Sequence, residues 1–266
     1  MPEPQCQKAP FIAIGNRLKG IPEVLTLGLK PNFRDYSVKE RDLIIHAPHI
    51  LYPTLNYAQF FTTMGKQIFP SLETCLYSDE KIKQSTLFYM LGIPHPHTKF
   101  YYHLHHQDIH KEFSFPFIAK LPRSSSQGRG VFLIHDSKEL SSYLALTNIA
   151  YIQEYIPHER DIRVVLINYE PVLAYWRIKS EDSFKTNIAQ GGQISFKEVP
   201  QAAIDTAILA ARKCKFNDVG IDILPFRQKY YVIEANMKYG RTALTMKGMI
   251  LKDIFRKRLI DNKIFV

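Results

Sequence analysis

The sequence predicts an α+β protein built of mixed layers. Short apolar runs read as strands, and neighbouring runs are joined by short polar loops, as in hairpins. The helices between them do not alternate one for one with strands, as a doubly wound parallel sheet requires. No internal repeat or low-complexity segment interrupts this pattern. Proline and glycine cut the first part of the chain into short pieces, with strands expected at residues 11–15 and 43–46. Residues 20–32 are too weakly periodic to assign. Ser78 is read as the cap of a helix whose first turn holds Asp79 and Glu80, where carboxylates favour the positive end of the dipole. Leu87, Phe88 and Leu91 give that helix its apolar face, and Gly92 with Pro94 ends it. Strands are expected at residues 115–121 and 131–134, around the polar loop Pro122-Arg123-Ser124-Ser125-Ser126-Gln127-Gly128-Arg129-Gly130. Asp136 and Glu139 read as a capping box for a helix that buries Leu140, Tyr143 and Leu144. Extended segments follow at 151–156, 162–168 and 171–178, then a helix from Pro200 with Ile204, Ala207, Ile208 and Ala211 along one side. A hairpin of residues 219–224 and 230–236 precedes a basic helix around Leu251, Ile254, Phe255 and Leu259.

Composition narrows the function classes. With 266 residues, 45% hydrophobic and 23% charged, the chain is an ordinary globular one, long enough to bury about 70–75% of its unfolded surface. No run approaches the ~18 uncharged apolar residues of a membrane span. Met1-Pro2-Glu3-Pro4 lacks the basic stretch and apolar core of an export signal, so a cytoplasmic location is expected. Cys6, Cys75 and Cys214 are far apart, which argues against a disulfide framework or a local zinc site and suits a reducing compartment. Lys and Arg number 35 against 25 acids, a net +10 that attracts nucleotides, phosphates, acidic peptides or nucleic acid. A basic surface without a dedicated partner is the plain alternative.

Three segments carry residues suited to chemistry. If Asp222 pairs across the hairpin from Glu234, the register centres on Gln228, with a turn over residues 227–229. Asn236 then shares their face, and three oxygen donors converge. Opposed carboxylates repel unless a cation lies between them, and hard oxygen ligands suit magnesium. Removing one carboxylate should then relieve repulsion in the empty site. With another register these are scattered surface polar groups. Second, Lys120 and the serine–glycine loop after it could fold backbone N–H groups and an ammonium over phosphates, although an ordinary hairpin loop looks the same. Third, Gln153-Glu154-Tyr155-Ile156 precedes Asp161-Ile162-Arg163, where Asp161 and Arg163 point the same way. A strand edge facing adenine, followed by an acid for ribose hydroxyls, is chemically sensible; Asp-x-Arg is also a common surface pair.

In this order the segments resemble the ATP-grasp ligases, most closely the RimK-type branch that adds amino acids such as glutamate to a carboxylate. The resemblance covers residues 78–236 and also includes Lys81 eleven before Gly92-Ile93-Pro94-His95-Pro96, Arg177 ten before Asn187, Gly191-Gly192 and Val219-Gly220-Ile221-Asp222. It implies an ATP-grasp fold, two α+β subdomains gripping ATP, after a short α/β domain. Residues 1–76 would be that first domain. Residues 77–266 would be the ATP-grasp domain, with 77–155 as lid and 156–266 carrying the metal. The implied activity is ATP- and magnesium-dependent (or manganese-dependent) activation of a carboxylate as acyl phosphate and its joining to an amine. By this resemblance Lys81, Lys120, Gln127 and Gly128 serve the ATP phosphates, Glu154, Tyr155 and Ile156 the adenine, and Asp161 the ribose. Asp222, Glu234 and Asn236 bind the metal, and Arg163, Arg177 and Asn187 face the γ-phosphate and the acyl phosphate.

The sequence departs from the family where a substrate would bind. The loop after Lys120 is one residue longer, Gln190 replaces a common basic residue, and Met237-Lys238-Tyr239-Gly240 follows Asn236. Lys238 and Arg241, with Tyr239, are expected at the site's mouth, holding an anionic carboxylate or amine substrate, an amino acid or a peptide end. His95, His97, His103, His105, His106 and His110 read as an exposed basic hairpin, and the basic face of Lys252, Arg256, Lys257 and Arg258 as solvated. The competing classes are a catalytically silent ATP-binding sensor and a nucleic-acid-binding basic protein. No membrane partner is expected, and a homo-oligomer is left open.

Overall fold

The computed structural model describes residues 10–123, 130–180, 186 and 192–265. They divide into two compact units: one takes the described residues through Cys75 with those from Leu244 on, the other those from Leu76 to Ala243.

The first unit is a parallel sheet of β1 (Phe11–Ala13), β2 (Val24–Thr26), β3 (His49–Leu51) and β4 (Gln67–Phe69), in the order β2-β1-β3-β4. Helices α1 (Val38–His46) and α2 (Thr54–Thr63) contribute Ile44, Tyr57 and Phe61 to a core with Ile12, Ile14 and Ile50. Residues 43–46, expected as a strand, are instead the last turn of α1. The Ser37 hydroxyl accepts the Glu40 N–H while the Glu40 carboxylate accepts the Ser37 N–H, and this capping box outweighs the β preference of Ile44-Ile45. Short helices α3 (Leu72–Leu76) and, much later, α7 (Thr242–Met246) lie at the two crossings between units.

The sequence reading groups residues 77–266, but the contacts divide the chain differently. Helix α8 (Leu251–Ile260) belongs with the N-terminal strands because Phe255 packs edge-on against Tyr52 and Phe69, and Arg256 makes hydrogen bonds of 2.9–3.1 Å to Glu23.

The second unit holds two antiparallel sheets. The lid sheet comprises β5 (Thr98–Tyr102), β6 (Phe117–Lys120), β7 (Val131–Ile134) and β8 (Ile149–Glu154), in the order β5-β8-β6-β7, with α5 (Ser137–Leu144) burying Leu140 and Tyr143 as expected. Asp136 caps α5, but Glu139 accepts the N–H of His135 rather than closing a box with Asp136. The central sheet comprises β9 (Arg160–Ile167), β10 (Glu170–Ile178), β11 (Gln193–Ser195), β12 (Asp218–Phe226) and β13 (Lys229–Asn236), in the order β11-β10-β9-β12-β13. Helices α4 (Lys81–Met90) and α6 (Gln201–Cys214) complete a core with one face of this sheet, joining Phe88, Ala203 and Ala207 to Ile221, Ile223 and Val232.

Two local expectations are corrected here. Ser78 caps nothing: Asp79 takes a left-handed conformation (φ 60°), which turns the chain so that α4 starts only at Lys81. The histidine-rich stretch is a 3-10 helix, His103–Lys111, anchored by buried Ile109, with Asp108 paired to His105 and Lys111.

Candidate functional site

The face of the central sheet opposite that core carries charge. Arg177 on β10 stands across from Asp161 on β9, Arg163 on β9 across from Asp222 on β12, and Asp222 across from Glu234 on β13. Directly opposed residues share a face, and Asp161 and Arg163 are two apart, so five charged side chains run across four adjacent strands. The Asp222–Glu234 pairing is the expected one, reached by a different route. The turn is the two-residue pair Arg227-Gln228, both with positive φ (46° and 63°), and a β-bulge between Asp222 and Ile223 restores the pairing.

The charges are bound to one another. Arg177 donates Nε and Nη2 to the two oxygens of Asp161, at 2.7 and 2.6 Å, and Thr186 Oγ1 donates to Asp161 Oδ2 at 2.6 Å. Arg163 grips Asp222 with Nε on Oδ1 and Nη2 on Oδ2, the latter at 2.9 Å. Arg177 Nη2 and Asn236 Nδ2 both stand 3.1 Å from Asp222 Oδ2. Burial pushes the Asp222 carboxyl up, but Arg163 and Arg177 outweigh it and hold it below the usual carboxylate range. Burial would lower Arg177, whereas Asp161 and Asp222 raise it. The repulsion expected between Asp222 and Glu234 is therefore already relieved by arginines, and Glu234 has its own cation, Lys81 Nζ at 3.4 Å.

Lys81 is placed by a residue that sequence reading missed. Gln84, one turn further along α4, donates Nε2 to the Ala235 carbonyl at 2.9 Å and accepts the Ala235 N–H at 3.0 Å. A buried amide that satisfies an edge strand's donor and acceptor fixes both the height and the rotation of α4. The only signal in the sequence is its i+3 spacing from Lys81.

Lys120 ends β6 on the lid sheet. Its carbonyl accepts from Tyr143 Oη at 2.8 Å, and its Nζ lies 5.2 Å from the Tyr151 ring centre. The Tyr151 hydroxyl in turn lies 2.7 Å from Ser85 Oγ on α4, and burial pushes that phenol up to about 12. Burial lowers the Lys120 ammonium's pKa, with Glu234 and Asp222 partly opposing it. No hydrogen bond or ion pair to Lys120 Nζ is found among the described residues.

The remaining expected residues fall in different places. Glu154 is exposed and accepts the His97 N–H at 2.9 Å, while Ile156 beside it is buried. Asp161, expected toward ribose, is a buried partner of Arg177 and Thr186. Lys238 and Arg241 are exposed, as expected of a mouth, and Lys238 pairs with Asp79 at 3.2 Å. Tyr239 is not at the mouth: it is buried and donates to Asp218 at 2.7 Å. Gln127, Gly128 and Asn187, like the longer loop and Gln190, lie outside the described residues.

Among the described residues no three His, Cys, Asp or Glu side chains gather to hold a metal, and no helix is long and apolar enough to cross a membrane. The candidate cation ligands are two carboxylates and one amide, Asp222, Glu234 and Asn236. Asp222 and Glu234 are opposed in register, Asn236 lies two residues after Glu234, and hard oxygens of this kind suit magnesium.

The RimK-like ATP-grasp domain matches residues 78–259, well over half of the chain. A "Probable alpha-L-glutamate ligase" of Vibrio parahaemolyticus is 29% identical over 199 residues, covering 70% of this chain and 65% of that protein, so the chain spans less than two thirds of that relative. The glutamate–LysW ligase ArgX of Sulfolobus acidocaldarius is 28% identical over 222 residues, covering 79% of this chain and 78% of that one. In fold, the ATP-grasp ligase PsnB, solved with a minimal precursor, Mg and ADP, superposes with a TM-score of 0.66 at 14% identity over 95% of this chain and 98% of that one.

Proposed function

The chain belongs to the RimK-like ATP-grasp family, and from that premise we propose that it is an ATP- and magnesium-dependent ligase joining a carboxylate to an amine. The observation that carries this reading is the line of charges from Arg177 to Glu234, continued by Lys81, with the buried ammonium of Lys120, which has no hydrogen bond or ion pair among the described residues, on the lid sheet. Four cations stand among three carboxylates, a net positive site suited to a triphosphate.

A carboxylate is a poor acyl donor. In the proposed reaction a substrate carboxylate oxygen attacks the γ-phosphorus, ADP leaves, and the acyl phosphate is then attacked at carbon by the amine as phosphate departs. Lys81 and Lys120 bind the phosphates, and the edge after β8, Glu154 to Ile156, lies against the adenine. Arg163 and Arg177 face the transferred group through both steps, since phosphoryl transfer depends chiefly on positioning and charge neutralisation. Asp161 serves by holding Arg177 in place. Asp222, Glu234 and Asn236 would hold magnesium, with manganese as a substitute; when bound, it supplies charge neutralisation at the phosphate oxygens.

By analogy with relatives named for glutamate ligation, one substrate is an amino acid or peptide end that carries negative charge, held at Lys238 and Arg241. The test is ADP release with magnesium present across libraries of carboxylates and amines. ADP release that requires both components supports the reading. ATP binding without ADP release for any pair rejects it in favour of a silent sensor. On the active pair, Arg241→Ala should raise the substrate KM about tenfold or more, about 1.4 kcal/mol, with the ATP KM unchanged. Equal effects on both KM values, or none, would remove Arg241 from the substrate pocket.

A further inference from the structure

Gly220 lies on the charged face of β12, two residues before Asp222, opposite Val165 on β9 and Asn236 on β13. It is not among the glycines with positive φ, so no backbone conformation demands it. Space does. A Cβ at this position would stand 3.0 Å from Arg163 Cδ, 3.2 Å from Arg163 Nη1 and 2.9 Å from Tyr239 Cβ. Tyr239 cannot give way readily, because its Cβ is fixed to the backbone and its buried hydroxyl is tied to Asp218 at 2.7 Å. A methyl therefore presses on both neighbours: Tyr239 can yield only with its backbone, whereas the long Arg163 side chain, which crosses the bare Gly220 Cα on its way to Asp222, is the one free to swing aside.

We infer that Gly220 is a positioning residue: the missing side chain is the seat on which Arg163 lies, and it sets where the Arg163 guanidinium sits for the reaction. The steric part stands on geometry alone; the consequence for turnover rests on the ligase reading above. Asp222 gives the guanidinium its direction through two hydrogen bonds, but it cannot hold Arg163 flat if the floor rises by a methyl group. A methyl here would lift the Arg163 stem away from β12 and break the paired bonds to Asp222. Arg177, seated on β10 against Asp161 and Thr186 with β9 between it and β12, should stay in place.

The experiment is Gly220→Ala, read first in the nucleotide-free protein by the arginine side-chain 1H–15N Nε signals. The Arg163 signal, assigned by its loss in Arg163→Lys, should shift or disappear while the Arg177 signal stays. An unmoved Arg163 signal overturns the inference. Read next in turnover, the variant should lose about tenfold or more in kcat with little change in ATP KM. A displaced Arg163 signal with full kcat would uphold the seat and instead reject the placement of Arg163 at the phosphoryl group, so the two failures are distinguishable. If Gly220→Ala folds poorly, a melting-temperature cycle with Arg163→Ala decides. A methyl that costs clearly less without the arginine supports the seat, and equal cost in both backgrounds overturns it.

Discussion

Lys120 on the lid sheet and Arg163 on the central sheet are almost equally buried, at 5% and 7% exposed, yet they are held in opposite ways. Arg163 is paired before any ligand arrives, because the two Asp222 oxygens accept from its Nε and Nη2. Lys120 has aromatic neighbours and no anion in hydrogen-bond reach among the described residues, and burial drives its pKa down. A buried charge with a partner is stable but must exchange that partner to act. A buried charge without one is costly and gains directly from an arriving phosphate. The central sheet therefore keeps its arginines in place, while the lid sheet keeps a cation in want of an anion.

The largest test of this contrast is Asp222→Ala. It leaves two arginines facing a lost partner, and urea unfolding should show a loss of about 3–5 kcal/mol. This reverses the expectation from sequence that removing one of two crowded carboxylates is harmless. A loss within the noise of the measurement would mean that the arginines are solvated and the contrast is false. Next, Lys120→Met keeps the apolar stem and removes the charge. ATP affinity, measured by calorimetry, should fall about tenfold or more, about 1.4 kcal/mol. Stability of the nucleotide-free protein should stay level or rise, since no bond is lost. A clear loss of stability would show that Lys120 has a partner after all.

A pH series sharpens the same point. The folded Lys120 releases its proton below the ordinary lysine value of 10.5. Between those two values the unfolded chain binds more protons than the folded one, so the Lys120 contribution to stability rises with pH across that window. ATP binding needs the protonated form, so affinity should fall across the same window. Lys120→Met should flatten both trends; an unaltered affinity profile would place the titrating group elsewhere. The smallest effect belongs to Lys238→Ala. Its pair with Asp79 is exposed on both sides, so thermal melting should barely change.

How much of this was legible depends on the range of the cause. The pairing of Asp222 with Glu234 follows from counting residues about Gln228, although the two-residue turn and the bulge that deliver it do not show in that count. The strands 115–121 and 131–134 and the stripe on α6 were local. Residues 43–46 failed because Ile44-Ile45 looks like a strand until the Ser37–Glu40 capping box upstream is weighed. Asp161 reads as a ribose ligand because nothing in Asp-x-Arg says that Arg177, sixteen residues away, binds it. The roles of Gln84 and Gly220 stay hidden, although one lies three residues after Lys81 and the other two before Asp222, since one acts through a strand 151 residues later and the other through the side chain it lacks.

The bulge in the β12–β13 hairpin has a consequence for how this chain can vary. Val232 and Glu234 are two apart, and in an unbroken strand they would share a face. Here Val232 pairs with Ile223 in the core and Glu234 with Asp222 on the charged side, because Ile233 is the extra residue between them. One more residue at the turn would let the strands pair without a bulge and keep Asp222 opposite Glu234, but it would rotate Val232 out of the core. One fewer would force a second irregularity. Natural or laboratory lineages of this protein should therefore accept substitutions at Arg227 and Gln228 freely and reject insertions and deletions there. A library that mixes both kinds of change at the turn, selected for folded protein, should return variants of a single length.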